Sequence, residues 1–177
     1  MDFFRSSKKQ LALEQLKQLN SKADSKGEVY KKLKKHINGR RYYDVNTMMY
    51  SAHEESFKQT DCLSCGNCCK SIPPMVENED VRRIAKHLKM TIPDFRKKFM
   101  TRDSDGDPVF KKTPCHFLGS DNKCSIYEIR PKACAEYPFT NYPNTKSVFG
   151  MILNNAALCP AVSRVLDIME KNLEEHL

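Results

Sequence analysis

Eight cysteines in a chain of 177 residues constrain the fold more than any other feature of this sequence. Four of them form one run, C-x2-C-x2-C-C, and the other four follow at wide spacing; together they are Cys62, Cys65, Cys68, Cys69, Cys115, Cys124, Cys134 and Cys159. Two cysteines separated by two residues can turn their sulfurs toward one ion while backbone N–H groups point at the thiolates. Gly66 suits such a turn because glycine accepts a positive φ. The pattern predicts that all eight thiolates are metal ligands.

The adjacent pair Cys68 and Cys69 indicates two metal sites, or a cluster with more than one iron. Neighbouring side chains diverge, so both sulfurs seldom reach the same ion. One partition joins Cys62, Cys65 and Cys68 to one distant cysteine and leaves Cys69 with the remaining three, but the spacing fixes no pairing. Four thiolates suit zinc and iron alike. Closely bunched cysteines with remote partners favour an iron–sulfur cluster over zinc by a small margin.

The expected location of the protein bears on how its cysteines are used. No segment approaches the ~18 consecutive apolar residues that a membrane span requires. Charged and polar residues interrupt the first 20 residues, where a signal peptide would need a continuous apolar core. We therefore expect a cytoplasmic protein without a membrane partner. Thiols stay reduced in that compartment, so disulfides do not explain eight cysteines.

Arg130 is the residue other than cysteine that we assign to cofactor binding. It lies between Cys124 and Cys134, just before Pro131. A guanidinium there can offset thiolate charge and donate hydrogen bonds to sulfur or backbone. The alternative is an ordinary surface arginine at a helix start set by Pro131. His116, next to Cys115, is predicted to be exposed or structural rather than a ligand.

Apolar residues at helical spacing predict a mainly α fold. Thr91 with Asp94 fits the start of a helix that buries Phe95 and Phe99, and Pro160 suits the first position of a final helix. Residues 101–159 are predicted to be irregular, with short strands and an acidic turn at 103–107. The apolar stripes are Leu13, Leu16 and Leu19; Tyr30, Leu33 and Ile37; Val45, Met48, Met49 and Ala52; Val81, Ile84, Ala85 and Leu88; and Val162, Val165, Leu166, Met169 and Leu173.

The predicted organisation is a single metal-binding domain with an N-terminal helical extension. We place the basic helical extension at residues 1–58 and the cysteine-cluster domain, with short β strands and the C-terminal helix, at residues 59–177. Residues 1–60 carry 13 Lys and Arg against 7 Asp and Glu, whereas the rest carries 17 against 15. Such an excess is typical of a solvated helix face, with an acidic protein partner as the alternative. Nucleic acid is not expected, since no nucleic-acid motif is present.

The cysteine run and three later elements resemble the CxxCxxCC, or YkgJ-type, cysteine-cluster family. Residues 62–69 read CLSCGNCC, and the later elements are PCHFL at 114–118, CSIYEIRPKACAEYPF at 124–139 and Cys159-Pro160. The resemblance covers about residues 60–165, and every cysteine falls on one of these elements. It implies a small, mainly helical domain that chelates zinc or iron. Relatives with this domain include flagellin lysine N-methylases, which are longer chains.

Three functions are compatible with these features. The leading interpretation is a metal-binding protein that chelates iron, as an iron–sulfur cluster, or zinc, with a redox, structural or metal-handling role. The second is a metal-dependent enzyme, either an oxidoreductase or a protein-modifying enzyme like the methylase relatives, although glycine-rich nucleotide motifs are missing. The third is a zinc-stabilised interaction module that binds an acidic partner or nucleic acid.

Overall fold

The computed structural model describes the backbone of residues 2–174 and, within it, the side chains of residues 14–41 and 44–173. Helices dominate: α1 Asp2–Ser25, α2 Gly27–Gly39, α3 Tyr42–Phe57, α4 Cys62–Cys65, α5 Asn67–Ser71, α6 Asn78–His87, α7 Ile92–Phe99, α8 Lys132–Glu136, α9 Thr145–Asn155 and α10 Pro160–Glu174. Strands β1 Met100–Arg102 and β2 Pro108–Phe110 pair antiparallel, and a 3-10 turn covers Tyr127–Ile129. The predicted class, mainly α with short strands in a cysteine-rich region, is confirmed.

The chain forms two compact units. The helical unit combines the segment up to Thr60 with the segment from Pro138 onwards, and the cysteine unit is Asp61–Tyr137. The structure therefore groups the C-terminal helix with the N-terminal helices, because their apolar faces share one core. The domain boundary at 58/59, with the C-terminal helix assigned to the cysteine-cluster domain, stays a prediction.

The core of the helical unit is built from the apolar faces of α2, α3, α9 and α10. Each predicted stripe of α2, α3 and α10 contributes most of its residues, whereas the side chain of Leu13 lies outside the described residues. The buried core residues are Tyr30, Leu33, Ile37, Val45, Met49, Ala52, Val148, Phe149, Ile152, Ala156, Val162, Val165, Leu166 and Met169. Pro160 is the first residue of α10, as predicted.

The prediction that residues 101–159 are irregular is wrong for α9. This helix begins after Asn144, whose side chain accepts a hydrogen bond from the Ser147 N–H. Its sequence, TKSVFGMILNN, contains Gly150 and residues of low helix propensity. Burial of Phe149 and Ile152 in the core outweighs that weak local preference.

Across residues 2–174, no single helix is long and apolar enough to span a membrane. The bent helix pair Thr145–Asn155 and Pro160–Leu173 meets the length and composition of a span, and by those two properties alone.

The core of the cysteine unit is a second apolar cluster, to which α6, α7 and β2 contribute. The predicted helix start at Thr91 is confirmed, because its hydroxyl accepts from the Asp94 N–H. Phe95 and Phe99 are buried four residues apart, as predicted, and Phe110 and Phe117 pack against them. The acidic turn at 103–107 joins β1 to β2, with the Asp103 carboxylate accepting from two backbone N–H groups of the turn.

An ion network ties α10 to the end of α1 within the helical unit. The two carboxylate oxygens of Asp167 lie 2.5 Å from Nζ of Lys22 and 2.7 Å from Nζ of Lys26, and Lys26 also reaches Glu170 at 2.5 Å. Burial alone would raise the pKa of Asp167, but the hydrogen bonds from both lysines outweigh it and lower that pKa. Burial likewise opposes the charge on Lys26, yet its two acidic partners raise its pKa.

Asp167→Asn is expected to lower the free energy of unfolding by about 1 kcal/mol at neutral pH, as partly buried ion pairs do. The folded pKa of Asp167 lies below its unfolded value of about 3.9, so its contribution is present above that value. The contribution is lost as the pH falls through the folded pKa, and the difference between variant and wild type should shrink below about pH 4. Urea unfolding at pH 7 and pH 3 measures both differences.

The control for this substitution is Glu28→Gln. Glu28 pairs with Lys31 on the surface of α2, where both side chains are at least three-quarters exposed. Solvent screens such a pair, and the charge of Glu28 in the first turn of α2 adds little, so its loss should cost less than about 0.5 kcal/mol at pH 7 and nothing at pH 3. An equal loss in the two variants would contradict a specific role for the Asp167 network.

Candidate metal centre

The cysteine run folds as two short helical turns joined at a glycine. The Asp61 carboxylate accepts from the Leu63 N–H at 3.0 Å and starts α4, which carries Cys62 and Cys65. Gly66 ends α4 with φ 59° and ψ 15°, and its N–H donates to the Cys62 carbonyl at 3.1 Å. The predicted glycine turn is confirmed. Gly66 is also the residue that precedes α5, so the second helical turn begins at once.

Gly66→Ala is expected to cost about 1 kcal/mol of stability, because an L-residue pays roughly that amount in the left-handed region. Space is not the obstacle: an added Cβ would lie 3.4 Å from Cβ of Asn122 and 3.5 Å from Cδ1 of Leu118. The matched control is Gly150→Ala in α9, where nothing lies within 4 Å and alanine favours the helix. Thermal unfolding should show loss in the first variant only; a Gly66→Ala protein as stable as wild type would contradict the strained turn.

Backbone contacts hold Cys115 against the cysteine run and hold Cys124 against the segment that follows Cys115. The Cys115 N–H donates to the Cys69 carbonyl at 2.8 Å. Cys124 forms an isolated antiparallel bridge with Leu118, and Ser125 donates its N–H to the Phe117 carbonyl at 2.8 Å. The side chains of Cys115 and Cys124 pack against the apolar core of the cysteine unit. Residues separated by about 50 positions in sequence are thereby brought together within one unit.

The cysteine sulfurs form no disulfide, and they do not yet surround a common point. All eight cysteines lie in the described part of the chain, and none forms a disulfide. The sulfurs of Cys68 and Cys69 are 3.9 Å apart. Among the described side chains, no three Cys, His, Asp or Glu residues are already arranged around a common point as metal ligands. The donor set fits zinc or iron by its chemistry, and ligation would require thiol side chains to rotate toward one another.

The charges that shift each cysteine pKa indicate which thiols lie near one another. A hydrogen bond from Cys68 lowers the pKa of Cys69 to about 7, against the effect of burial. Burial raises the pKa of Cys134 to about 12, and negative charge on Cys69, Cys115 and Cys124 raises it further. Burial, followed by charge on neighbouring cysteines that include Cys69, also raises the pKa values of Cys62, Cys115 and Cys124. Thiolates in this group repel one another, so their common ionisation calls for a cation.

Arg130 lies within reach of the same thiols. Its guanidinium carbon stacks 3.9 Å from the centre of the Tyr127 ring, and its Nη1 donates to the Tyr127 carbonyl at 2.7 Å. Burial raises the pKa values of Cys62, Cys124 and Cys134, and the Arg130 charge opposes that rise in all three. Its Nε is buried without a hydrogen-bond partner in the described structure. Arg130 therefore lies close enough to offset thiolate charge, whereas cofactor binding by Arg130 stays a prediction.

Cys159 and His116 complete the predicted set. Cys159 lies in the helical unit just before α10, where its N–H donates to the Asn155 carbonyl at 2.8 Å and its side chain packs against that unit's core. Its role as a ligand stays a prediction. His116 is half-buried and packs edge-on against Phe99, with ring centres 5.2 Å apart. Burial, followed by the charges of nearby lysines, lowers its pKa, which agrees with a structural role.

The sequence patterns assign neither Asp80 nor Arg83 a part in this site. Asp80 sits in the first turn of α6, where its negative charge alone suits the helix dipole. In the structure its carboxylate also accepts from the Lys132 N–H of α8 at 3.1 Å. The two residues are 52 positions apart, and periodicity carries no information about such a contact. A reciprocal cap between Glu77 and Asp80 is the one local signal that singles out this carboxylate.

Comparison with known proteins agrees with the cysteine pattern. A family model described as "CxxCxxCC: Putative zinc- or iron-chelating domain" matches residues 61–160, which is more than half of the chain. The matched range holds all eight cysteines. No solved structure matches the chain. The protein therefore belongs to the CxxCxxCC family of zinc- or iron-chelating domains.

Proposed function

We propose that this protein binds iron as an iron–sulfur cluster and that its role is electron transfer or another redox function. The ligands are drawn from seven cysteines of the cysteine unit: Cys62, Cys65, Cys68, Cys69, Cys115, Cys124 and Cys134. The observation that carries the proposal is that these seven cysteines lie in one compact unit, where the Cys115 N–H donates to the Cys69 carbonyl at 2.8 Å. Charge on Cys69 also raises the pKa values of Cys62, Cys115, Cys124 and Cys134, which agrees with this placement. The further role of Cys159 as an eighth ligand rests on its place in the sequence motif.

A bound cation removes the repulsion between neighbouring thiolates, which the metal-free protein avoids only by keeping the thiols protonated. Buried thiolates in close proximity destabilise one another, and protonation removes that cost at the expense of ligand strength. A bound cation or cluster replaces the protons and stabilises all the thiolates together. Because the sulfurs do not yet surround one point, ligand binding and side-chain rearrangement would be coupled.

The number of thiols favours a cluster over a single zinc ion. One tetrahedral zinc needs four ligands, whereas the cysteine unit alone supplies seven. The sulfurs of Cys68 and Cys69 are 3.9 Å apart, a separation that fits two ligands of one ion as well as ligands of different irons. Arg130 supplies positive charge near a centre that would be net negative, and such charge tunes reduction potentials.

Anaerobic purification followed by iron, zinc and acid-labile sulfide analysis, together with a visible absorption spectrum, tests this proposal. We expect brown protein with stoichiometric iron and sulfide. Arg130→Gln should retain iron but shift the reduction potential of the centre to a lower value, because positive charge stabilises the reduced form. Lys123→Gln, an exposed charge change next to Cys124, is the control. Colourless protein with zinc and no sulfide would overturn the cluster and leave zinc chelation; protein without either metal would overturn both.

A further inference from the structure

Asp80 has a buried carboxylate in the cysteine unit, where the residue is 1% exposed. Its Oδ2 accepts from the Glu77 N–H at 3.0 Å, and its Oδ1 accepts from Nη2 of Arg83 at 2.7 Å and from the Lys132 N–H at 3.1 Å. A buried carboxylate is costly unless such donors surround it. These donors come from the start of α6, from α6 itself and from the start of α8. One side chain therefore joins two helices.

Arg83 extends this connection to the residues before α8. Its Nη2 donates to the Arg130 carbonyl at 2.8 Å, and its Nε donates to the Ile129 carbonyl at 3.4 Å. Together with the bond from Asp80 to the Lys132 N–H, these contacts hold the backbone on both sides of Pro131. Residues 129–132 carry Arg130 and lead directly into α8, which carries Cys134.

We infer that Asp80 and Arg83 form a clamp that positions Arg130 and Cys134 for metal binding. The inference rests on the proposed metal site, and it assigns both residues as positioning residues rather than ligands. The clamp acts on the backbone: it fixes the start of α8, and α8 determines where the Cys134 sulfur can reach. A ligand held in place in this way needs less ordering when the metal binds, so the affinity is higher.

A second ion pair on the same helix shows what the clamp adds. Glu79 and Arg82 are also three residues apart in α6, and their pair is largely exposed. It makes no described contact with residues 129–134, whereas the Asp80–Arg83 pair makes three. Arg82→Lys therefore makes the same arginine-to-lysine change in an ion pair of α6 that does not belong to the clamp.

The test compares Arg83→Lys with Arg82→Lys, using Co²⁺ as the probe metal on metal-free protein under anaerobic conditions. Lysine keeps a positive charge beside Asp80 but lacks the planar fork that reaches two carbonyls. Because the Arg83 side chain is 42% exposed, the variant is expected to fold. Chelator competition should show about tenfold weaker Co²⁺ binding for Arg83→Lys, as for other residues that orient metal ligands, and no change for Arg82→Lys. The thiolate-to-cobalt absorption bands should also lose intensity in Arg83→Lys alone.

The remaining outcomes separate the clamp from the metal site. Equal Co²⁺ affinity and identical spectra in wild type and both variants would overturn the clamp and leave the metal site in place. Weaker binding with an unchanged spectrum, and with a matching loss of metal-free stability, would reduce Arg83 to a structural role and also overturn the inference. Wild-type protein that binds no Co²⁺ through thiolates would overturn the clamp, whereas the iron–sulfur proposal fails only if the purified protein lacks iron and sulfide. Asp80→Asn, which loses the charge, should exceed Arg83→Lys in its effect on affinity.

Discussion

Cys134→Ser is expected to remove most of the bound metal and, with it, the dependence of stability on metal. Burial raises the pKa of Cys134 to about 12, so at neutral pH this thiol loses its proton only where a bound cation takes the place of that proton. In sites of this kind the free energy of metal binding is also folding free energy. Wild-type protein saturated about 1,000-fold above the dissociation constant should gain about 4 kcal/mol over metal-free protein. The variant should gain far less.

Guanidinium unfolding of wild type and variant, each with metal and after chelation, measures this difference. The matched control is Ala135→Ser, which introduces a serine at the next, exposed position of α8 and leaves every thiol in place. The control should retain the full response to metal. If Cys134→Ser binds as much metal as wild type and unfolds at the same guanidinium concentration, Cys134 is not a ligand.

Phe95→Ala should destabilise the cysteine unit by about 3–5 kcal/mol, the range for truncating a buried aromatic side chain. Phe95 is fully buried, with its ring centre 5.2 Å from that of Phe99 and 6.4 Å from that of Phe110. The same apolar cluster supports Cys115 and Cys124. A cavity at its centre therefore removes packing beneath two of the proposed ligands.

Denaturant unfolding of metal-free protein gives the size of this effect, and metal content after purification shows whether it reaches the ligands. Ile92→Ala is the control, because Ile92 lies on the same helix but is 41% exposed. Its loss should cost less than about 0.5 kcal/mol. A Phe95→Ala variant as stable as Ile92→Ala would show that this cluster does not hold the unit together.

The helical parts of the fold were predictable where apolar residues recur at helical spacing. Leu33 and Ile37 in α2 and Val165 and Met169 in α10 are buried as their spacing predicts. Helix α9 was not predicted because Gly150 and β-branched residues weaken its local signal, and packing against the helical core stabilises it. Grouping of α10 with the N-terminal helices is likewise a tertiary effect that no local pattern encodes.

The chemistry of the candidate site was predictable from the sequence, whereas the tertiary contacts around it were not. The spacing of the cysteines and the turn at Gly66 follow from the properties of thiolates and glycine, and both can be recognised in one short motif. The contact between Asp80 and Lys132 depends on how α6 and α8 are placed, and no local sequence pattern predicts that placement. The same holds for the stacking of Arg130 on Tyr127, although its position between two cysteines suggested a role near the thiols.

The most direct measurement is X-ray absorption at the K-edge of the metal that remains bound after anaerobic purification. We expect a first shell dominated by sulfur at about 2.3 Å, the distance of thiolate ligands. A second shell of iron would further indicate a cluster. A first shell made only of nitrogen and oxygen at about 2.0–2.2 Å would contradict metal binding by the cysteines.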